Sequence, residues 1–176
     1  WANSYWTNKE IKPLPYDPDQ ARQLLEEAGY TDGDGDGIRE GMCNGEEVKL
    51  SFRFETTNKK IREDVAVAVQ SDLSKIGVEF KPGFTPDTVY FTSFEDGGII
   101  FTGNLDMGGY YVGFFPDPYP AYGDLDCSIP SESNPGGTNN YFICDPIIVN
   151  YMEELNSTTD PLIRKEAMLG LQQYLN

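Results

Sequence analysis

The chain of 176 residues contains no histidine. That excludes the serine and cysteine triads that depend on an imidazole base, and it removes the commonest transition-metal ligand. Basic residues are scarce: 13 Lys and Arg stand against 29 Asp and Glu, a formal net charge of −16. A surface of that sign repels nucleic acid and anionic lipid. No apolar run approaches the roughly 18 residues of a membrane span. The three cysteines lack a Cys-x-x-Cys spacing, so they make no zinc site.

What is present suits a folded α/β domain. Apolar residues make up 39% and aromatics 13%, enough to build a core in a chain of this length. The chain opens at Trp1 without a signal segment and stops at "LQQYLN" inside an apparent helix, with no capping glycine behind it. It is expected to be a piece of something longer, in which case a missing targeting signal says nothing about compartment.

Residues 1–16 lack periodicity and read as an extended lead-in. Asp17, Pro18 and Gln20 then form a helix start, with Ala21, Leu24, Leu25 and Ala28 on one apolar face and Gly29 as stop. "EEVKLSFRFET" alternates, with Val48, Leu50, Phe52 and Phe54 on one side, and predicts a single strand. A helix follows, capped by Asn58, with Ile61, Val65, Ala68, Val69, Leu73 and Ile76 inward and Gly77 as stop. "VEFKP" adds a second strand, so about 35 residues read as a parallel βαβ unit.

Residues 83–144 are rich in Gly, Pro and Tyr and harder to assign. "DTVYFTSFEDG" suits a strand or a short helix, and "GNLDMGGYYVGFF" a buried strand entering a loop. Two helices then open with Asp145-Pro146 and Asp160-Pro161. Their apolar faces are Ile148, Tyr151, Met152 and Leu155, then Ile163, Ala167, Leu171 and Tyr174.

Three constellations carry chemistry. "TDGDGDGIRE" places Asp32, Asp34 and Asp36 at alternate positions, followed by Gly37, the carbonyl of Ile38 and Glu40, a calcium-like arrangement of oxygens. It departs from the EF-hand, whose closing Glu is replaced here by Cys43. The same run reads as a turn whose aspartates cap their own backbone. Cys127 and Cys144 flank a long polar loop, and a disulfide there would add roughly 3 kcal/mol; Cys43 is left as a free, buried thiol. Last, residues 110–122 hold six aromatics among glycines and prolines, a density that suits a ligand wall. For Tyr110 to Gly113 a core strand fits equally well.

These residues together resemble the family 5 extracellular solute-binding proteins of ABC importers. The match runs from "YDPDQARQLLEEAGYTDGDGDGIREG" through "IREDVAVAVQSDLSKIGVEF". It continues through Leu105-Asp106-Met107, Pro116-Asp117-Pro118 and Cys144-Asp145-Pro146 to the closing helices, over residues 12–176. The resemblance implies a mixed β-sheet flanked by helices, with residues 1–176 forming one lobe of a periplasmic-binding-protein-like clamshell. It also supports the Cys127–Cys144 bond. Peptide receptors of the family often carry a Gly-Trp-x-x-Asp-Tyr segment before the proline turn. Here Tyr111 holds the Trp place and Phe114 the acid place, which weakens the expectation of an anchored peptide amine.

The expected function is therefore solute capture for import, with a peptide as the family's commonest ligand and an oligosaccharide as the alternative. Tyr110, Tyr111, Phe114, Phe115 and Asp117 are the candidate ligand face, with Asn139 beside them. The resemblance implies no catalytic residue and no required cofactor; structural Ca2+ at Asp32, Asp34, Asp36, Ile38 and Glu40 stays the metal reading of the acidic run itself. Its implied partners are the first lobe and an ABC permease, at the cell surface as a lipoprotein or in the periplasm. Two readings of other classes stand beside it: a carboxylate hydrolase using Asp106 and Asp117, and a calcium-stabilised structural module.

Overall fold

Asp17 closes the lead-in by accepting the Gln20 amide at 2.9 Å, and with Pro18 in the first turn it starts α1 (Pro18–Glu27). The computed structural model describes residues 4–111 and 125–176. The chain divides into two compact units, one of Pro15–Phe91 with Asn104–Tyr111, the other of residues 4–14, 92–103 and 125–176 among those described.

The first unit is built on a parallel sheet. β3 (Ser51–Thr57) is central, with β4 (Glu79–Thr85) on one side and β5 (Met107–Gly109) on the other. Ser51 to Thr57 pair in step with Glu79 to Thr85, and Phe54 to Thr56 with Met107 to Gly109. α2 (Lys60–Ser74) connects β3 to β4 and packs on both, which is the expected βαβ unit.

Three local expectations are corrected. The alternating run is two strands: β2 (Glu46–Lys49) folds back on β1 (Glu40–Cys43) through a tight turn at Asn44 and Gly45, with φ of 52° and 87°, whereas β3, beyond Leu50, pairs with β4 and β5. Asn58 does not cap α2: its amide donates to Thr85 O at 3.0 Å, prolonging the β3–β4 ladder, and Lys59 takes the cap position without a side-chain bond. The helix also turns a different face inward. Ala66 is its one buried residue, while Ile61 is 71% and Val65 56% exposed. A small side chain lets the helix approach the sheet, and Gln70 Nε2 fixes it there by donating to Phe80 O at 2.8 Å. The apolar face of α1 is only partly covered: Ala21 and Leu25 are half-buried, Leu24 is exposed, and no residue of the helix is fully buried.

Arg39 ties these parts together. It donates to Ile76 O at the end of α2, to Tyr30 O just past α1, and to Glu26 in α1. Two helix C-termini, each the negative end of its dipole, thus converge on one guanidinium.

In the second unit the two Asp-Pro starts behave as expected. Asp145 caps α5 (Pro146–Ser157) and Asp160 caps α6 (Pro161–Tyr174). The helices pack through Ile148, Met152, Leu155, Ala167 and Leu171, whose larger side chains each contribute roughly 1.5–3 kcal/mol when fully buried. Ile163 and Tyr174 are instead about half exposed; the Tyr174 hydroxyl reaches Asp145 Oδ2 at 2.7 Å. The lead-in has no helix or strand in residues 4–17, and its Trp6 and Asn8 lie against α6. Asn8 N donates to Gln172 Oε1 at 2.9 Å, and Gln172 Nε2 to Trp6 O at 2.7 Å.

Two short helices complete the described elements, α3 (Asp87–Tyr90) in the first unit and α4 (Ile99–Thr102) in the second. α3 settles the strand-or-helix choice for its segment in favour of helix.

Candidate functional site

The C-terminal end of a parallel sheet is where open α/β folds bind ligands, and β5 delivers the first aromatics to that end. Two glycines allow it. A Cβ on Gly109 would lie 2.6 Å from the Phe54 ring, and one on Gly108 would lie 3.0 Å from the Tyr90 hydroxyl. β5 can therefore lie directly on a buried aromatic layer. Phe54 stacks against Phe80 at 4.8 Å between centroids, and Tyr90, with no exposed surface, donates its hydroxyl to Glu55 O at 3.2 Å. Burial pushes the Tyr90 phenol above its ordinary pKa, so it stays a neutral donor. Thr56 Oγ1 closes the seam by donating to Gly109 O at 2.6 Å.

Tyr110 then meets Phe91 edge-on, and Tyr111 follows at 72% exposure. The core-strand alternative for this segment fails at Tyr111, whose ring faces solvent. Phe114, Phe115 and Asp117 lie outside the described residues.

Beside the same strand ends, Glu55 is buried at 7% exposure. Arg53 reaches its Oε1 through Nη2 at 2.8 Å and Nε at 3.1 Å, and Thr85 donates to its Oε2 at 3.2 Å. Gly83 on β4 leaves room for this carboxylate, since a Cβ there would lie 2.4 Å from it. Sequence alternation assigned Glu55 to an outer face and missed it. Asp106 is also committed: its Oδ2 accepts the Arg53 amide at 2.6 Å. That bond engages one of the two carboxylates the hydrolase reading requires.

Asn139 stands in a different role from a ligand contact. It has no exposed surface; its Nδ2 donates to Asp126 O and to Ile143 O, and its Oδ1 accepts Tyr141 N at 3.1 Å. Its amide braces the loop that the Cys127–Cys144 disulfide closes, with 4.7 Å between the two Cα atoms. Cys43 is free, as expected, but exposed rather than buried.

The acidic run has features of both its readings. Asp32 accepts Gly35 N and Gly37 N, Asp34 accepts Asp36 N, and Asp36 accepts Ile38 N, so the aspartates cap their own turn. Lys49 bonds Asp34 and Asp36, and Asp34 first, then Asp36, raise its pKa. The Lys49 contact in turn lowers that of Asp36, helped by the Ile38 amide. Oxygens of Asp32, Asp34 and Glu40 nevertheless gather within 4.8 Å of one another. Glu40 Oε2 is buried without a hydrogen-bond partner. Three of the expected calcium ligands therefore converge, while Lys49 bonds Asp36 and also Asp34, one of the three.

With this geometry established, comparison with known proteins decides the class. The family model for bacterial extracellular solute-binding proteins, family 5 Middle, matches residues 1–128. The chain belongs to this family. The oligopeptide-binding protein AppA of Bacillus subtilis (strain 168) is 39% identical over 120 residues, covering 68% of this chain and 21% of AppA. The nickel-binding periplasmic protein of Escherichia coli (strain K12) is 32% identical over 98 residues, 54% of this chain and 18% of that one. The chain thus spans about a fifth of the curated relatives it matches.

Solved structures agree on the fold. An oligopeptide-binding protein from Thermus thermophilus, in complex with a pentapeptide, superposes with a TM-score of 0.79 at 21% identity. It covers 97% of this chain and 30% of its own. AppA in complex with a nonapeptide gives 0.70 at 28% identity, covering 98% of this chain and 32% of AppA. This family 5 chain accordingly has the mixed α/β fold of periplasmic-binding proteins, with sheets flanked by helices. None of its described helices is long and apolar enough to cross a membrane.

Proposed function

We propose that residues 1–176 form one lobe of a two-lobed extracellular receptor, which closes on a peptide by hinge motion and hands it to the permease of an ABC importer. One observation carries the reading: β5 runs from the parallel sheet directly into Tyr110 and Tyr111, with Tyr110 held edge-on by Phe91 and Tyr111 projecting into solvent. Aromatic faces presented from a rigid strand bury a solute's apolar groups with little loss of entropy. The peptide assignment draws support from AppA, named as oligopeptide-binding and solved with a nonapeptide.

In this reading Tyr110, Tyr111, Phe114, Phe115 and Asp117 form the lobe's solute-facing set, and Asn139 holds the Cys127–Cys144 loop in shape. The receptor works without a catalytic residue, outside the cell, as a surface lipoprotein or in the periplasm. Calcium at Asp32, Asp34 and Glu40 stiffens the α1–β1 connection, and the unpartnered Glu40 oxygen favours this addition.

One lobe offers half a pocket, so the 176-residue chain binds weakly by itself. A two-dimensional NMR titration of the isotopically labelled chain with a nonapeptide tests this. Millimolar binding with shifts at the Tyr110 and Tyr111 amides is expected. Micromolar affinity, or shifts that leave both tyrosines untouched, would contradict it.

A further inference from the structure

The aromatic order at the end of β5 extends beyond the two tyrosines. Phe91 is the C-terminal cap residue of α3, where the chain leaves the helix with φ −104° and ψ 11°. Its ring stands at 80° to that of Tyr90, with 4.8 Å between centroids. It stands at 86° to that of Tyr110, with 5.6 Å between centroids. Tyr90, Phe91 and Tyr110 thus form a herringbone row, each ring edge-on to the next. The row begins in the core, where Tyr90 has no exposed surface, and opens outward. Phe91 is 41% exposed, Tyr110 is half-buried, and Tyr111 projects beyond them. All four belong to the first compact unit.

The inner end of the row is fixed. The Tyr90 hydroxyl donates to Glu55 O, and Gly108 lets β5 pass close over that hydroxyl. Among the described residues, the charged groups around the row are matched with one another. Lys59 pairs with Asp87 at 3.1 Å and Arg53 with Glu55 at 2.8 Å, while Arg62 donates to the Thr57 hydroxyl. What these residues offer a solute is therefore ring surface rather than an uncompensated charge.

We infer that Phe91 is a third solute contact and that the row selects a solute with an aromatic side chain, a peptide bearing Phe, Tyr or Trp. This rests on the solute-binding reading above and narrows it. Aromatic rings prefer edge-to-face or offset contacts with centroids about 4.5–7 Å apart, because the negative face of one attracts the positive edge of another. The solute ring takes the next place in the row, against the open surface of Phe91 and Tyr110. An aliphatic side chain of the same size fills that place by buried area alone and lacks the ring–ring attraction. Because Tyr90 already holds the row, no protein ring has to be ordered when the solute arrives.

Three end-blocked pentapeptides that differ only in the central residue, Phe, cyclohexylalanine or Ala, provide the test. Cyclohexylalanine keeps the size of Phe but has no ring quadrupole. Each peptide is titrated into the labelled 176-residue chain while the Phe91, Tyr110 and Tyr111 amides are followed by NMR. The Phe peptide is expected to bind about two- to tenfold more tightly than the cyclohexylalanine peptide, and the Ala peptide most weakly. Phe91→Leu should remove most of the difference between the first two. Should that variant fail to fold, nuclear Overhauser contacts from the Phe peptide to the Phe91 ring of the parent chain decide the same point. Equal binding of the Phe and cyclohexylalanine peptides, or tighter binding of the latter, overturns the aromatic preference and leaves the solute-binding reading standing. A Phe preference that survives Phe91→Leu, or a Phe peptide without contacts to Phe91, overturns the assignment of that residue. No shift at either tyrosine with any peptide overturns the solute-binding reading, and this inference with it.

Discussion

Tyr110 meets Phe91 edge-on, with 5.6 Å between ring centroids and 86° between planes. Phe91 packs in turn against Tyr90 at 4.8 Å and 80°. The first aromatic of the proposed solute face is thereby joined to a fully buried side chain of the sheet unit. Packing against Phe91 therefore helps to set its position.

Gly109 is the position where that arrangement is most easily broken. Replacement by Ala drives a Cβ into the Phe54 ring. Gly109→Ala should cost about 1–3 kcal/mol in urea unfolding and shift the Tyr110 resonances. Gly136→Ala, where nothing lies within 4 Å, should stay within about 0.5 kcal/mol of the parent. Equal stability of the two variants would show that β5 does not lie against Phe54.

Asn139 separates bracing from ligand contact. Asn139→Ala leaves the Asp126 and Ile143 carbonyls without their donor and should cost about 1–3 kcal/mol per buried group left unpaired. A variant of parental stability that lost solute binding would restore Asn139 to the ligand face.

The acidic turn predicts a metal response with a competitor built in. Ca2+ should raise Tm relative to EDTA, by about 2–4 °C for each kcal/mol of binding energy. Asp32→Asn should abolish the rise, and Lys49→Met, which frees Asp34, should enlarge it. Identical Tm in Ca2+ and EDTA would leave the self-capped turn as the whole account.

Asp145 predicts a pH dependence. The Tyr174 hydroxyl first, and the Ile147 amide second, hold its pKa below the ordinary Asp value. A depressed folded pKa gives stability that is complete above the unfolded value, about 3.9, and is lost as pH falls through the lower folded one. The difference between the parent and Asp145→Asn should therefore be constant from neutral pH to about 5 and vanish on further acidification. A difference that persists at about pH 2 would assign it to packing of the variant amide.

Local signals made much of the fold legible. Asp17, Asp145 and Asp160 announce their helices because capping needs only neighbours in sequence. The strand–helix–strand unit follows from periodicity. The face of α2 was not readable, because Ile61 and Val65 outrank Ala66 in hydrophobicity while close approach to the sheet selects the smaller side chain. The hairpin was readable in principle: Asn44-Gly45 is a strong turn signal that the alternation on either side conceals. Glu55 was not, since Gly83 and Thr85 reach it only through the β3–β4 register. At the site, Tyr110 and Tyr111 stood out by aromatic density, whereas Tyr90, Phe91 and the two close-packed glycines become meaningful only when β5 is laid on the sheet.

The central claim is that the strand-borne tyrosines touch the solute. An isotope-filtered nuclear Overhauser spectrum of the labelled chain with an unlabelled nonapeptide measures it directly. Contacts from the peptide to the Tyr110 and Tyr111 rings are predicted. Peptide contacts found only elsewhere, for instance along the Ser4–Glu10 strap beside Lys165, would contradict the account.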